Sequence, residues 1–296
     1  MATEAARAPA ATRAGARAVR RRGPNWKNIA LVIAVAGIMV FCLFPFYWMV
    51  NTSFKTGSDL ANADLWPTPP SLDNYDTVLS NSDFLKAIRN SAIVSGSVTI
   101  VSLVIGSFAG YALARLYFPR KFLLLAIILS ISTFPPIAIA APVFKLWSDI
   151  GLYNTYIGLI LPTLTFGLPL TIYILASFFR EIPKDLSDSA LVDGATPFQA
   201  FRKVIIPLAA PGVATAGLLT FIFAWNEFLF AVTLTSSPDV QTAPVAISNF
   251  SGVVQFQIPL GAITAASVII TFPLVILVLI FQKRIVAGLT AGAVKG

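Results

Sequence analysis

Three residues in the run "TFIFAWNEFLFAV" could do chemistry: Trp225, Asn226 and Glu227. Glu227 is the only acid inside an apolar stretch. An acid at membrane depth faces a cavity or a partner. A carboxylate beside an amide suits the hydroxyl groups of a sugar, and an indole face can cover a sugar ring. The same groups suit a gate or a helix–helix hydrogen bond. Asn51, with Thr52 and Ser53, closes an earlier apolar run; it either lines a pathway or marks an interfacial helix end. Covalent chemistry lacks its usual parts. The chain has no histidine and a single cysteine, Cys42, which removes the commonest general base and most zinc sites. Its one Lys-Ser/Thr pair, Lys55-Thr56, follows no glycine loop, so no phosphate-binding loop is present. The expectation is that this chain binds no cofactor or metal, and that any ATP and Mg are bound by a partner.

The elements that hold these residues are membrane helices. Of 296 residues, 56% are hydrophobic and 11% charged, against about 25% charged in a soluble domain. A bilayer core of roughly 30 Å needs about 20 apolar residues as helix. The uncharged runs 28–54, 90–114, 122–144, 150–179, 204–226 and 240–282 each hold one such helix; in the last, only about 260–282 is apolar enough. This gives an all-α, polytopic protein with six spans. Span five is expected to end near Val232, with Glu227 about 8 Å from its outer end. Phe134-Pro135-Pro136 should kink or break span three. Gly106 and Gly110 form a Gly-x-x-x-Gly pattern that permits close helix packing.

Charge sets the orientation. With the N-terminus inside, only Lys55, Lys86, Arg89 and Lys145 of the 21 lysines and arginines fall outside. Both termini are therefore expected in the cytoplasm, and the net charge of +8 needs no nucleic acid to explain it. The expected organisation is a basic tail over 1–27, a six-span domain over 28–283 and a C-terminal tail over 284–296. The first outer loop, about 55–88, is the most acidic part, with Asp59, Asp64, Asp73, Asp76 and Asp83. It is either solvated or a contact for an external partner.

Between spans four and five lies "DSALVDGATPFQAFRKVIIP", 188–207. Residues 184–193 read as a helix entered through Pro183. Gly194 stops it, since glycine takes the left-handed conformation without steric cost. Thr196, Pro197 and Gln199 then signal a second helix start with a Thr-x-x-Gln capping box, and Pro207 is expected to limit that helix. Leu186, Ala190 and Val192 alternate with Asp185, Asp188 and Asp193. An amphipathic elbow of this kind fits a groove on a partner protein; it would also serve as an interfacial connector.

The elbow resembles the coupling loop of ABC importer permeases, whose pattern is Glu-Ala-Ala, three residues, Gly, nine residues, Ile-x-Leu-Pro. Here it reads Asp188-Ser189-Ala190, Leu191-Val192-Asp193, Gly194, then 195–203 and Val204-Ile205-Ile206-Pro207. The spacing matches throughout; the departures are Asp188 for Glu, Ser189 for Ala, and Val204 and Ile206 for Ile and Leu. "FAWNEFLFA" and the terminal "GLTAGAVKG" are similar to the shorter, six-span permease of maltose-type sugar importers. The resemblance implies a bacterial plasma-membrane permease that forms a heterodimer with a second permease. Two ATPase subunits would bind below, contacting Asp188, Ser189, Ala190, Leu191, Asp193, Gly194 and the segment to Pro207. An extracytoplasmic sugar-binding lipoprotein would deliver the sugar, a disaccharide such as trehalose or maltose. By position, the outer segment 233–260 matches the loop that enters the binding protein's cleft. The alternatives are an ion-coupled secondary transporter, for which only Glu227 could bind or couple an ion, and a membrane enzyme, which lacks a catalytic constellation.

Overall fold

The computed structural model describes residues 26–250 and 259–291, with side chains through Gln282. The expected basic tail up to residue 25, the segment 251–258 and residues 292–296 lie outside the described residues. All regular structure among the described residues is helical. Among the described residues four helices are long and apolar enough to cross a membrane, and the number rises to six if each of two bent pairs is one span.

Helix α1 is Trp26–Ser53. The chain divides into two units, residues to Tyr47 and residues from Trp48. In the first unit the helix is apolar on every face and shows Leu31, Ile38 and Phe41 on its surface. A helix that is hydrophobic all round belongs in lipid or in contact with another apolar surface.

The second unit begins with the last turns of α1 and a folded loop. Lys55 is buried there, and its ammonium donates to the carbonyls of Asn62 (3.0 Å) and Asp64 (2.7 Å) while lying over the Trp48 ring. Asn51 is also buried and donates to the Asp64 carbonyl at 2.9 Å. The acidic loop is thus wound around a cation. After α2 (Asp73–Leu79), helix α3 runs Ser82–Arg115. Asn81 caps it by accepting from the amides of Asp83 and Phe84. At 1.5 Å per residue its 34 residues span on the order of 50 Å, well beyond a bilayer core. The expected second span, 90–114, is therefore only the middle of a longer rod, and Lys86 and Arg89 lie on helix rather than in the first loop.

Helices α4 (Lys121–Thr133) and α5 (Pro136–Ile150) meet at an 82° bend. The proline pair produces the break expected there. Pro136 starts α5, where its missing N–H costs nothing. Helix α6, Tyr156–Glu181, packs along α3. A Cβ at Gly106 would stand 3.0 Å from Thr171 Cγ2, and one at Gly110 would stand 3.0 Å from the Ala176 nitrogen. The two glycines therefore act as the pattern suggests, letting the backbones approach.

Next come α7 (Lys184–Val192), the helical run α8 (Pro197–Leu208) and α9 (Ala210–Trp225). Helix α9 packs on α3 and α6, with the buried hydroxyls of Thr171 and Thr220 joined at 2.6 Å. The short α10 (Leu229–Leu234) and α11 (Ala243–Phe250) precede α12, Leu260–Ala291, which packs on α9 and continues past the expected end of the sixth span.

Candidate functional site

The elbow is built from local backbone rules and anchored by aromatic packing. Helix α7 ends in a full Schellman arrangement: the Gly194 amide donates to the Leu191 carbonyl at 3.1 Å, and the Ala195 amide to the Ala190 carbonyl at 2.9 Å. Asp193 is the C-cap, and its amide donates to the Ser189 carbonyl at 2.9 Å. Gly194 has φ +86°, the left-handed region the sequence led us to expect. Ser189, Ala190 and Leu191 thus supply the carbonyls that close the turn. The second helix starts with the expected box. The Gln199 amide donates to Thr196 Oγ1 (3.2 Å), and the Thr196 amide to Gln199 Oε1 (2.9 Å).

Pro207 behaves differently from the expectation. It lies inside α8, which ends at Leu208 and turns 76° into α9 at Ala209. Its missing N–H and its ring disrupt the usual bond to Lys203, and a π turn, Phe201–Ile205, precedes it. The sharp break comes from Pro211, in the first turn of α9. Its ring would clash with the Pro207 carbonyl in a continuous helix.

The elbow's base is fixed and its tip is open. Phe201 is buried against Tyr111 (4.8 Å between ring centroids), Phe108 (5.4 Å) and Phe179 (6.2 Å). Arg115 donates to the Ile182 carbonyl at the entry to α7. Phe198 stacks on Phe108 yet stays half exposed. Leu186, Leu191 and Val192 also face outward, Val192 at 87% exposure. Asp188 and Asp193 are exposed and join no ion pair among the described residues. An apolar tip ringed by free carboxylates is suited to a protein groove with basic residues at its rim.

The second candidate region sits at the far end of α9. That helix stops at Trp225, with Asn226 as its C-cap, rather than near Val232. Glu227 therefore lies in a break between two helices. Its Oε1 accepts from the Phe230 amide (2.7 Å) and its Oε2 from the Ala231 amide (3.0 Å). The carboxylate caps α10, a short helix with no other acceptor at its start, which composition could not reveal. Asn226 is exposed, and its amide group donates to the Ile222 carbonyl. Trp225 is buried and stacks on Phe221. Asn226 and Glu227 line a cavity of about 520 Å³ with Thr163, Phe166, Phe223 and Phe228. Trp225 and Asn51 do not line it; Asn51 is taken up by the loop at the end of α1.

A protein-family model described as "Binding-protein-dependent transport system inner membrane component" matches residues 102–290, a stretch that includes the whole elbow and the Glu227 break. The chain belongs to this family. It is a multi-pass inner-membrane component, and its relatives are permease proteins of transport systems. The permease is 49% identical to the trehalose transport system permease protein SugB of Mycobacterium tuberculosis, over 93% of this chain and 99% of that one. It is 41% identical to the trehalose/maltose transport system permease protein MalG of Thermococcus litoralis, over 91% and 98%. The solved structure of a bacterial ABC transporter that imports alginate shares the permease's fold, with TM-score 0.73 at 22% identity over 87% of this chain and 96% of that one.

The Glu227 geometry gives a graded expectation. Glu227→Ala leaves two amides of α10 without acceptors, at about 1–3 kcal/mol for a buried donor. Glu227→Gln keeps one acceptor oxygen and the side-chain length. Melting temperature in detergent and uptake in cells should both fall in the order wild type, Gln, Ala. An alanine variant that melts and transports like wild type would show that α10 needs no cap.

Proposed function

We propose that the chain is the permease subunit of a bacterial ABC sugar importer, paired with a second permease around the translocation pathway. Two ATPase subunits, which hold the ATP and Mg, dock on the elbow 184–207 in the cytoplasm. An extracytoplasmic sugar-binding lipoprotein delivers a disaccharide such as trehalose or maltose. The observation that carries this reading is the elbow: a tip of exposed apolar and acidic residues on a base clamped by Phe201. A lever needs both, because a loose base would absorb the motion instead of passing it to the spans. The trehalose and trehalose/maltose permeases among the relatives supply the sugar class. The cavity beside Glu227, with its aromatic rings, amide and carboxylate, is the part of the pathway wall this chain offers. An ion-coupled carrier is a poorer fit, because both oxygens of Glu227 are already held by amides.

The test is retention of the ATPase during purification of the complex. Asp188→Ala should weaken it, and the loss should grow with salt as the remaining exposed pairs are screened. Equal retention of wild type and variant at every salt concentration would make Asp188 a solvated helix residue only. Screening the associated binding protein against mono- and disaccharides then identifies the sugar.

A further inference from the structure

We infer that Asn90 is a positioning residue that ties the segment 236–243 to the same rigid helix that bears on the elbow. This rests on the reading of the elbow as a lever and of the opposite end as the side that receives the binding protein. Asn90 is fully buried, and its amide is used on all sides. Its Nδ2 donates to the carbonyls of Pro238 (3.1 Å) and Gln241 (2.9 Å), and its Oδ1 accepts from the Tyr156 hydroxyl (2.6 Å). The next residue, Ser91, accepts from the Ala243 amide at 2.8 Å, at the start of α11. Asn154, just before α6, holds the preceding residues by accepting from the amides of Ser236 (3.0 Å) and Ser237 (3.1 Å). The segment therefore rests on the ends of α3 and α6, and Asn90 with Tyr156 joins those two helices beneath it.

The other end of the same α3 carries Phe108 and Tyr111, which hold Phe201 of the elbow. Asn90 and Phe108 lie 18 residues apart on one uninterrupted helix, roughly 27 Å. A displacement of the segment reaches the elbow through one rod and two sets of side-chain contacts, a contiguous physical route between distant surfaces. Hydrophobic packing alone would let the segment slide. Directional bonds from Asn90, Ser91 and Asn154 to two carbonyls and three amides fix its register.

The experiment uses the complete importer in lipid vesicles and compares ATPase activity with and without saturating binding protein. Asn90→Ala removes all three side-chain bonds. Asn90→Asp keeps the acceptor for Tyr156 and loses both donors. Tyr156→Phe removes one hydroxyl and leaves the fold's packing in place. The stimulated-to-basal ratio should fall roughly fivefold or more in Asn90→Ala, and by less in Tyr156→Phe. Basal activity and ATPase retention should stay near wild type. Tyr156→Phe in the Asn90→Ala background should lower the ratio further, since the Tyr156 hydroxyl also lies 3.2 Å from the Asp239 carbonyl and can still donate to it once Asn90 is gone. An unchanged ratio in Asn90→Ala would overturn the inference. So would basal and stimulated rates that fall in parallel, which mark a residue needed only for assembly. Should the wild-type complex show no stimulation by its binding protein, the functional reading itself fails, a result distinct from either of these.

Discussion

Gly194→Val is expected to abolish uptake while leaving the membrane helices inserted. Gly194 has φ +86°, and a Cβ built there meets no atom within 4 Å. Crowding is therefore not the problem; the backbone conformation is. A β-branched residue in the left-handed region costs about 1–3 kcal/mol. The chain escapes that cost by moving to negative φ, which breaks the Schellman bonds to Leu191 and Ala190 and swings α7 away from its direction relative to α8. The apolar tip would then no longer face the groove proposed for it. Gly194→Asn should retain more activity than the valine variant, because asparagine tolerates the left-handed region best among non-glycine residues. Uptake and ATPase assays in vesicles check this ranking. Normal uptake and normal ATPase stimulation in Gly194→Val would sink the lever reading.

Phe201→Ala is expected to have the largest effect on stability and to uncouple what complex remains. Burial of Phe201 among Phe108, Tyr111 and Phe179 makes it the main anchor of the elbow's base. Large-to-small changes at such sites cost ~3–5 kcal/mol, a large share of the stability of an ordinary domain. The melting temperature of the purified complex should drop clearly. Sugar moved per ATP hydrolysed should also drop, because a loosened base absorbs the elbow's motion. Phe201→Leu should recover much of both. Phe198→Ala is the control: that ring is half exposed, so its loss should spare stability and weaken ATPase docking. Full coupling in folded Phe201→Ala would show that the aromatic anchor plays no part in transmission.

Local and compositional signals explain what was legible before any coordinates. Membrane residence follows from composition, since an uncharged run of 20 or more residues has few other places to go. The break at Phe134-Pro135-Pro136 follows from proline's missing N–H. The elbow was legible nearly residue by residue. Its stop at Gly194 and its box at Thr196 and Gln199 depend on conformations and bonds within a few positions of each other. The close approach of α3 and α6 at Gly106 and Gly110 was legible as a pattern, though only the fold shows which helix fills the space.

The tertiary structure decided the rest, because each remaining feature is a partnership between residues far apart in the chain or a choice between two locally allowed outcomes. Lys55 reads as an outer surface charge, yet the fold of 55–72 surrounds it with carbonyls. Glu227 reads as an acid within a span; ending α9 at Trp225 turns it into a helix cap. Pro207 reads as the limit of its helix; a π turn accommodates it, and the bend falls at Ala209, just ahead of Pro211. Asn90 reads as the polar edge of an apolar run, and its role depends on residues 148 and 151 positions away. Sequence periodicity sees neighbours within a turn or two of helix. The hydrogen bond of a buried amide is fixed by which backbone carbonyl the folded chain brings within 3 Å of it.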